Sequence, residues 1–205
     1  MGLRIASRNF ISKGKKMSNF STQRSLTLIF LCLTFFSCSR VPNKSPESII
    51  GKPFPILKGK SLSQKKWILP NDLKGQKTIL LTGYVQGAQF DIDRWLIGLS
   101  MAKVKTPIFE VPAVKGFFIG LFKERLDQSM RNGIPSEIWK AVVTVYGDSE
   151  KLINFTGSQK PRNSRVFVLD KKGEVIYFHD RGFSVNNLQR LLKVLPPNDY
   201  GACFK

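Results

Sequence analysis

Apolar residues in this chain fall into short runs and stripes, separated by polar, Gly- and Pro-bearing breaks, and most of them have a readable period. Residues 77–85, KTILLTGYV, form a nearly continuous apolar run of the kind buried in the middle of a sheet. In the segment directly after it, QGAQFDIDRWLIGLSMAK, Ile92, Trp95, Leu96 and Leu99 recur at helical spacing, so strand and helix together predict a βα unit. Thr106 to Val111 predicts a second strand, and Lys115 to Arg131 a second helix stopped by Asn132-Gly133 and Pro135. Ala141 to Tyr146 predicts a third strand, after which Gly147-Asp148-Ser149 opens a short helix through Phe155. Arg165 to Leu169 and Glu174 to Phe178 flank Asp170-Lys171-Lys172-Gly173, a β-hairpin signal. Ser184 is placed to cap a final helix whose Leu188, Leu191, Leu192 and Leu195 make the buried stripe, and Pro196-Pro197 ends it. Upstream, Gly51 to Leu57 is a Pro-bearing leading segment before a hairpin-like stretch through Lys66-Trp67-Ile68-Leu69.

A hairpin, then β-α-β-α-β-α, then a second hairpin and a last helix is the thioredoxin-like order, with the extra elements of peroxiredoxin-type relatives. It implies an α/β three-layer sandwich with a mixed central sheet and a C-terminal β-hairpin plus helix. The chain has 205 residues, 42% hydrophobic and 23% charged, which fits one globular domain with short appendages and excludes wholesale disorder.

The appendage at the front has its own pattern. Leu26 to Phe36, LTLIFLCLTFF, is eleven residues without a charge. A spanning helix needs roughly 20 such residues and an export-signal core about 7 to 15, so length favours the signal. Ser37-Cys38 follows directly and resembles the lipobox of bacterial lipoproteins, whose cysteine is acylated. Phe35 and Phe36 stand where that box has Leu and a small residue. The acid-free first 46 residues also fit a mitochondrial transit peptide, but transit helices are amphipathic and this run is not. The organisation expected is a signal peptide over 1–37 with its true start at Met17, a lipidated tether over 38–50, a domain over 51–197 and a tail over 198–205. Membrane lipid is then a partner through acylated Cys38, and the bacterial cell envelope is the location, inner or outer membrane left open.

Cysteine count and charge narrow the chemistry. Cys32 would leave with the signal and Cys38 would be acylated, so only Cys203 stays free, with no base beside it in sequence; no CxxC occurs. Dithiol redox chemistry and cysteine-based metal sites are excluded. His179 is the only histidine, and no metal or other cofactor is expected. Six of the 33 Lys and Arg precede Cys38 and all 14 acids follow it, so the remainder carries 27 − 14, or +13. The basic runs are short (Lys65-Lys66, Lys171-Lys172, Arg162 with Arg165) and read as solvated. Without helix-turn-helix, zinc or stacking-aromatic signatures, no nucleic-acid partner is expected.

The stretches KTILLTGYVQGAQFDIDRW, SMRNGIPSEIW, VVTVYGD and RVFVLDKKGEVIY, with Gly182, resemble the mitochondrial ATP synthase assembly factor family known as Atp-ten and its bacterial relatives, over roughly Gly51 to Leu195. The resemblance implies a thioredoxin-like fold and a chaperone-like role in assembling a membrane complex. Task and compartment conflict, because a lipoprotein outside the membrane does not reach the cytoplasmic parts of that enzyme, so the fold transfers more safely than the task.

In thioredoxins the helix after the central strand begins with CxxC, and the helix N-terminus lowers the thiol pKa. Aligned without gaps, Ala88 and Asp91 stand in those places, and the fold's cis-proline position falls near Ser164, Pro161 being too early. Gln86 and Gln89 are left there as candidate hydrogen-bonding groups, with Asp91 and Asp93 as acids favouring a first helical turn. On the helix from Lys115, Phe118, Phe122, Leu126 and Met130 form one stripe, while Phe117, Ile119 and Leu121 spread apolar surface further round. Burial against the sheet is the default for such a stripe; a partner contact, if any, is expected there, with Arg131 at its polar edge. The reading reached is a non-redox binding or assembly module for an unidentified envelope or membrane protein. The alternatives are an enzyme using Gln86, Gln89 and Arg131 for a non-thiol reaction, or a structural envelope lipoprotein.

Overall fold

The computed structural model describes residues 48–114 and 119–201. Its strands are β1 (Leu57–Ser61), β2 (Lys66–Leu69), β3 (Thr78–Gly83), β4 (Ile108–Pro112), β5 (Val143–Thr144), β6 (Arg165–Leu169) and β7 (Val175–His179). Its helices are α1 (Gln89–Met101), α2 (Ile119–Gly133), α3 (Ser149–Thr156) and α4 (Val185–Leu192). The main sheet runs β4-β3-β6-β7, with β3 and β4 parallel and the other pairs antiparallel. A smaller antiparallel sheet runs β2-β1-β5. Two parallel bridges, Glu110 to Val142 and Ala113 to Val145, connect β5 to β4.

The apolar run at β3 is continuous because both of its faces are covered. Leu80 and Phe167 point into one core with Phe54, Leu57, Val111, Leu152 and Phe178. Ile79, Leu81, Val166 and Val168 point into a second core with Ile92, Trp95, Leu99, Leu188, Leu191 and Leu192. α3 and the leading segment therefore cover one face, and α1 and α4 the other, which is the three-layer sandwich expected from the order of elements. Trp95 is fully buried. α1 approaches the turn before α4 at Gly98, where a Cβ would come within 2.7 Å of the Phe183 ring.

The C-terminal hairpin forms where its turn residues put it. Asp170 Oδ1 accepts from the backbone N–H of Lys172 and of Glu174, both at 2.8 Å, and Gly173 takes a φ of +89° that a side chain would resist. Ser184 Oγ accepts from the N–H of Asn187, capping α4 as expected. Chain order beyond α4 reads as a tail, but Asp199 accepts from the Lys105 N–H and from Thr106 Oγ1, and the Gly201 N–H donates to the Ala102 carbonyl.

On α2, Phe122 is 58% exposed and Leu126 is also exposed, so these two positions of the stripe do not take the expected burial against the sheet. The face that packs carries Asp127, buried and accepting from Tyr146 Oη, because α2 is held to the domain by polar contacts. Arg131 is half-buried: its Nε donates to the Leu62 carbonyl at 2.9 Å and its guanidinium lies 5.8 Å from the Trp139 ring centre. Phe118, Cys38 and Cys203 lie outside the described residues.

Candidate functional site

The C-terminal end of β3 leads through a short turn, Gln86–Ala88, into α1, and this turn faces the segment that enters β6. Ala88 is fully buried, its Cβ against Gly83. Asp91 is also buried, at 6% exposure. Its Oδ2 accepts from the backbone N–H of Ser164 at 2.9 Å and from Ser164 Oγ at 2.6 Å, while Oδ1 accepts from the Phe183 N–H at 2.8 Å. The acid read as a helix-start preference is thus a tie between α1, the start of β6 and the turn before α4. Sequence separations of 73 and 92 residues hide such a tie from any local reading.

Gln86 and Gln89 are both exposed at this turn. Gln89 Nε2 donates to Asp93 Oδ1 at 2.9 Å and to Glu110 Oε2 at 3.4 Å, so it bridges two carboxylates. Glu110, on β4, was not singled out from the sequence, where it is one acid in a short strand. Burial pushes its carboxyl above the ordinary value of 4.5; the Gln89 bond opposes this and the Asp93 charge adds to it. Because the folded state holds that proton more tightly than the unfolded one, Glu110 destabilises the fold increasingly as pH rises from 4.5 through the folded value. Glu110→Gln is therefore expected to raise the urea midpoint at neutral pH and to leave it unchanged under acid conditions below the ordinary carboxylate range. Equal midpoints at neutral pH would show that burial of this carboxylate carries no penalty.

Arg165, read as one of a solvated pair with Arg162, is fully buried instead. Its Nη1 donates to the carbonyls of Asn163 at 2.7 Å and Lys160 at 3.2 Å, its Nη2 donates to that of Gln159, and the guanidinium lies 4.5 Å from the Tyr84 ring centre. Tyr84 Oη bonds with Thr156 Oγ1, and burial pushes that phenol up to about 12. His179 is a structural residue: its Nε2 meets the Gly182 carbonyl at 2.8 Å and its ring rests 5.9 Å from that of Trp95. Among the described residues no group of three or more His, Cys, Asp or Glu is placed to hold a metal ion. No helix among them is long and apolar enough to cross a membrane.

A parallel β3–α1–β4 unit, followed by an antiparallel β6–β7 hairpin and a helix on the α1 face, defines a thioredoxin-like domain, here with Ala88 and Asp91 at the first turn of α1. No protein-family model matches the chain, and no curated protein matches it. Solved structures do. The pneumococcal exposed lipoprotein thioredoxin Etrx1 of Streptococcus pneumoniae is 18% identical with a TM-score of 0.48, over 69% of this chain and 100% of that one. A thiol:disulfide interchange protein from Bacteroides sp. is 15% identical with a TM-score of 0.47, over 71% and 89%. Yeast Sco1 is 9% identical with a TM-score of 0.48, over 70% and 97%.

Proposed function

We propose that this chain is a lipid-anchored, non-catalytic thioredoxin-like module of the bacterial cell envelope that binds, or helps to assemble, a membrane-associated protein. The carrying observation is what occupies the thiol positions. A buried Ala88 and an Asp91 committed to hydrogen bonds with Ser164 and Phe183 leave no sulfur at the start of α1 among the described residues, and the sequence contains no CxxC. Attack on a disulfide or a peroxide needs a thiolate, and the helix start that activates one here holds a carboxylate. The apolar run ending at Ser37-Cys38 supports the anchor, and the polar segment behind it supports a tether. The resemblance to the Atp-ten assembly factors supports an assembly role, transferred to a partner within reach of the envelope.

The purified protein is expected to reduce insulin disulfides and to consume hydrogen peroxide no faster than buffer. Activity in either assay defeats the non-redox reading. Radiolabelled palmitate is expected to enter the chain in bacterial cells and to be lost in Cys38→Ala; equal labelling of both would remove the anchor. Crosslinking in the envelope followed by detergent extraction should return the same partner in replicate cultures, and failure to do so removes the assembly reading.

A further inference from the structure

The outer face of α1 carries an unpartnered apolar stripe. Phe90, Ile97 and Met101 are 76%, 60% and 71% exposed, and with Arg94 they follow the i, i+4, i+7, i+11 spacing of a single helix face. Arg94 and Met101 flank Gly98, which abuts Phe183 and Leu188, so this stripe lies on the side of α1 next to α4. α4 buries Leu188, Leu191 and Leu192 and turns Arg190 outward. On the two helices and the turns that follow them, the exposed charges are Arg94, Lys103, Arg190 and Lys193, against Asp93 alone.

We infer that this α1–α4 face is a docking surface for an anionic lipid bilayer, with Phe90, Ile97 and Met101 entering the headgroup boundary and the four cations pairing with lipid phosphates. Protruding apolar side chains on a helix that lies flat, framed by cations, are the composition of an interfacial helix. Each Lys or Arg near an anionic surface adds roughly 1 kcal/mol. A second copy of the chain does not fit, because it would bring four cations against four. Separate, highly exposed apolar side chains suit a deformable lipid surface better than the fixed relief of a protein. The proposal rests on the anchored reading for bringing the domain to a membrane, but the face it presents is argued from α1 and α4 alone.

The test uses the full chain with Cys32→Ser, Cys38→Ser and Cys203→Ser, so that no acyl anchor forms. An environment-sensitive nitrobenzoxadiazole label is placed at Ile97→Cys, or, as a control on the opposite layer, at Asn154→Cys. Vesicles of phosphatidylcholine with phosphatidylglycerol are expected to blue-shift and brighten the label at 97 severalfold and to leave the label at 154 unchanged. Pure phosphatidylcholine should have little effect, and added salt should reverse the change. Arg94→Ala and Arg190→Ala should each weaken the response about fivefold in lipid concentration. No response at 97, or equal responses at 97 and 154, overturns the proposal. So does a response to polyglutamate in place of vesicles, which would mean an acidic protein partner, or self-association without lipid, which would mean a second copy. Palmitate labelling reports separately on Cys38, so loss of the anchor and loss of this face are told apart.

Discussion

Asp91→Ala is expected to destabilise the domain by about 4 kcal/mol, the largest effect of any single polar substitution at the candidate site. The carboxylate is buried and accepts from Ser164 N–H, Ser164 Oγ and Phe183 N–H. A hydrogen bond to a charged acceptor contributes about 1.5–3 kcal/mol, and a buried donor left alone costs about 1–3 kcal/mol. The sum is reduced because the three bonds share one group, and because removing a buried charge recovers part of its desolvation. Urea unfolding followed by tryptophan fluorescence measures the change, with Trp95 5.4 Å from the Phe183 ring and so close to the affected turn. Asp91→Asn should recover about half, since its amide oxygen keeps one side of the tie while its NH₂ opposes a donor on the other. A loss under about 1 kcal/mol in Asp91→Ala would mean that solvent satisfies the freed donors and that the tie is dispensable.

That result bears on function as well as on stability. Position 91, where a gapless comparison with thioredoxins sets the second cysteine, joins three segments of the chain. Introducing a CxxC by Ala88→Cys with Asp91→Cys would insert sulfur into a fully buried site and dissolve the tie at once. Buried Ala88 and the three hydrogen bonds of Asp91 make the start of α1 a packed junction between α1, the start of β6 and the turn before α4.

The elements that were legible in the sequence are those whose determinants are local. The Asp170–Gly173 turn satisfies itself through the Asp170 side chain, and Ser184 caps the helix that begins one residue later. The βα unit was legible from Ile92, Trp95 and Leu99, whose spacing fixes which face of α1 is buried. On α2, Phe122 and Leu126 have equally good spacing and yet are exposed, because period alone records that a face is apolar and not what covers it. The run Ala141 to Tyr146 yields only a two-residue strand. Ala141 ends a 3-10 turn, while Val142 pairs with Glu110 of β4 and Val145 with Ala113 just beyond it, as isolated bridges. The order of elements puts Gln86 and Gln89 at the turn after the central strand, where they stand. Asp91, Glu110 and Arg165 were not legible, since the first two look like ordinary surface acids and the third like a solvated cation until the partners across the fold are known.

Arg165 carries the second large expected effect. Arg165→Met keeps most of the stem and removes the charge, so two terms oppose. Release of the guanidinium from a buried site is favourable, and burial does push its pKa down from the usual range. Against it stand three backbone carbonyls, of Gln159, Lys160 and Asn163, that lose their donor, and contact with the Tyr84 ring. Gln159 and Lys160 are exposed residues, so water replaces some of those bonds, but water does not fix the loop. The net expectation is a loss of about 2–4 kcal/mol. New protease cleavage should appear between Gly157 and Ser164, because this segment carries the backbone to Ser164 and hence to Asp91. Arg165→Lys should lose most of the same, since a single ammonium cannot span carbonyls that a planar fork reaches together. Mass-spectrometric mapping of limited proteolysis alongside urea unfolding separates the two terms. A variant as stable as the parent but newly cleaved assigns Arg165 to loop order alone, and one that is neither weakened nor cleaved shows that the buried guanidinium does not organise this side of the fold.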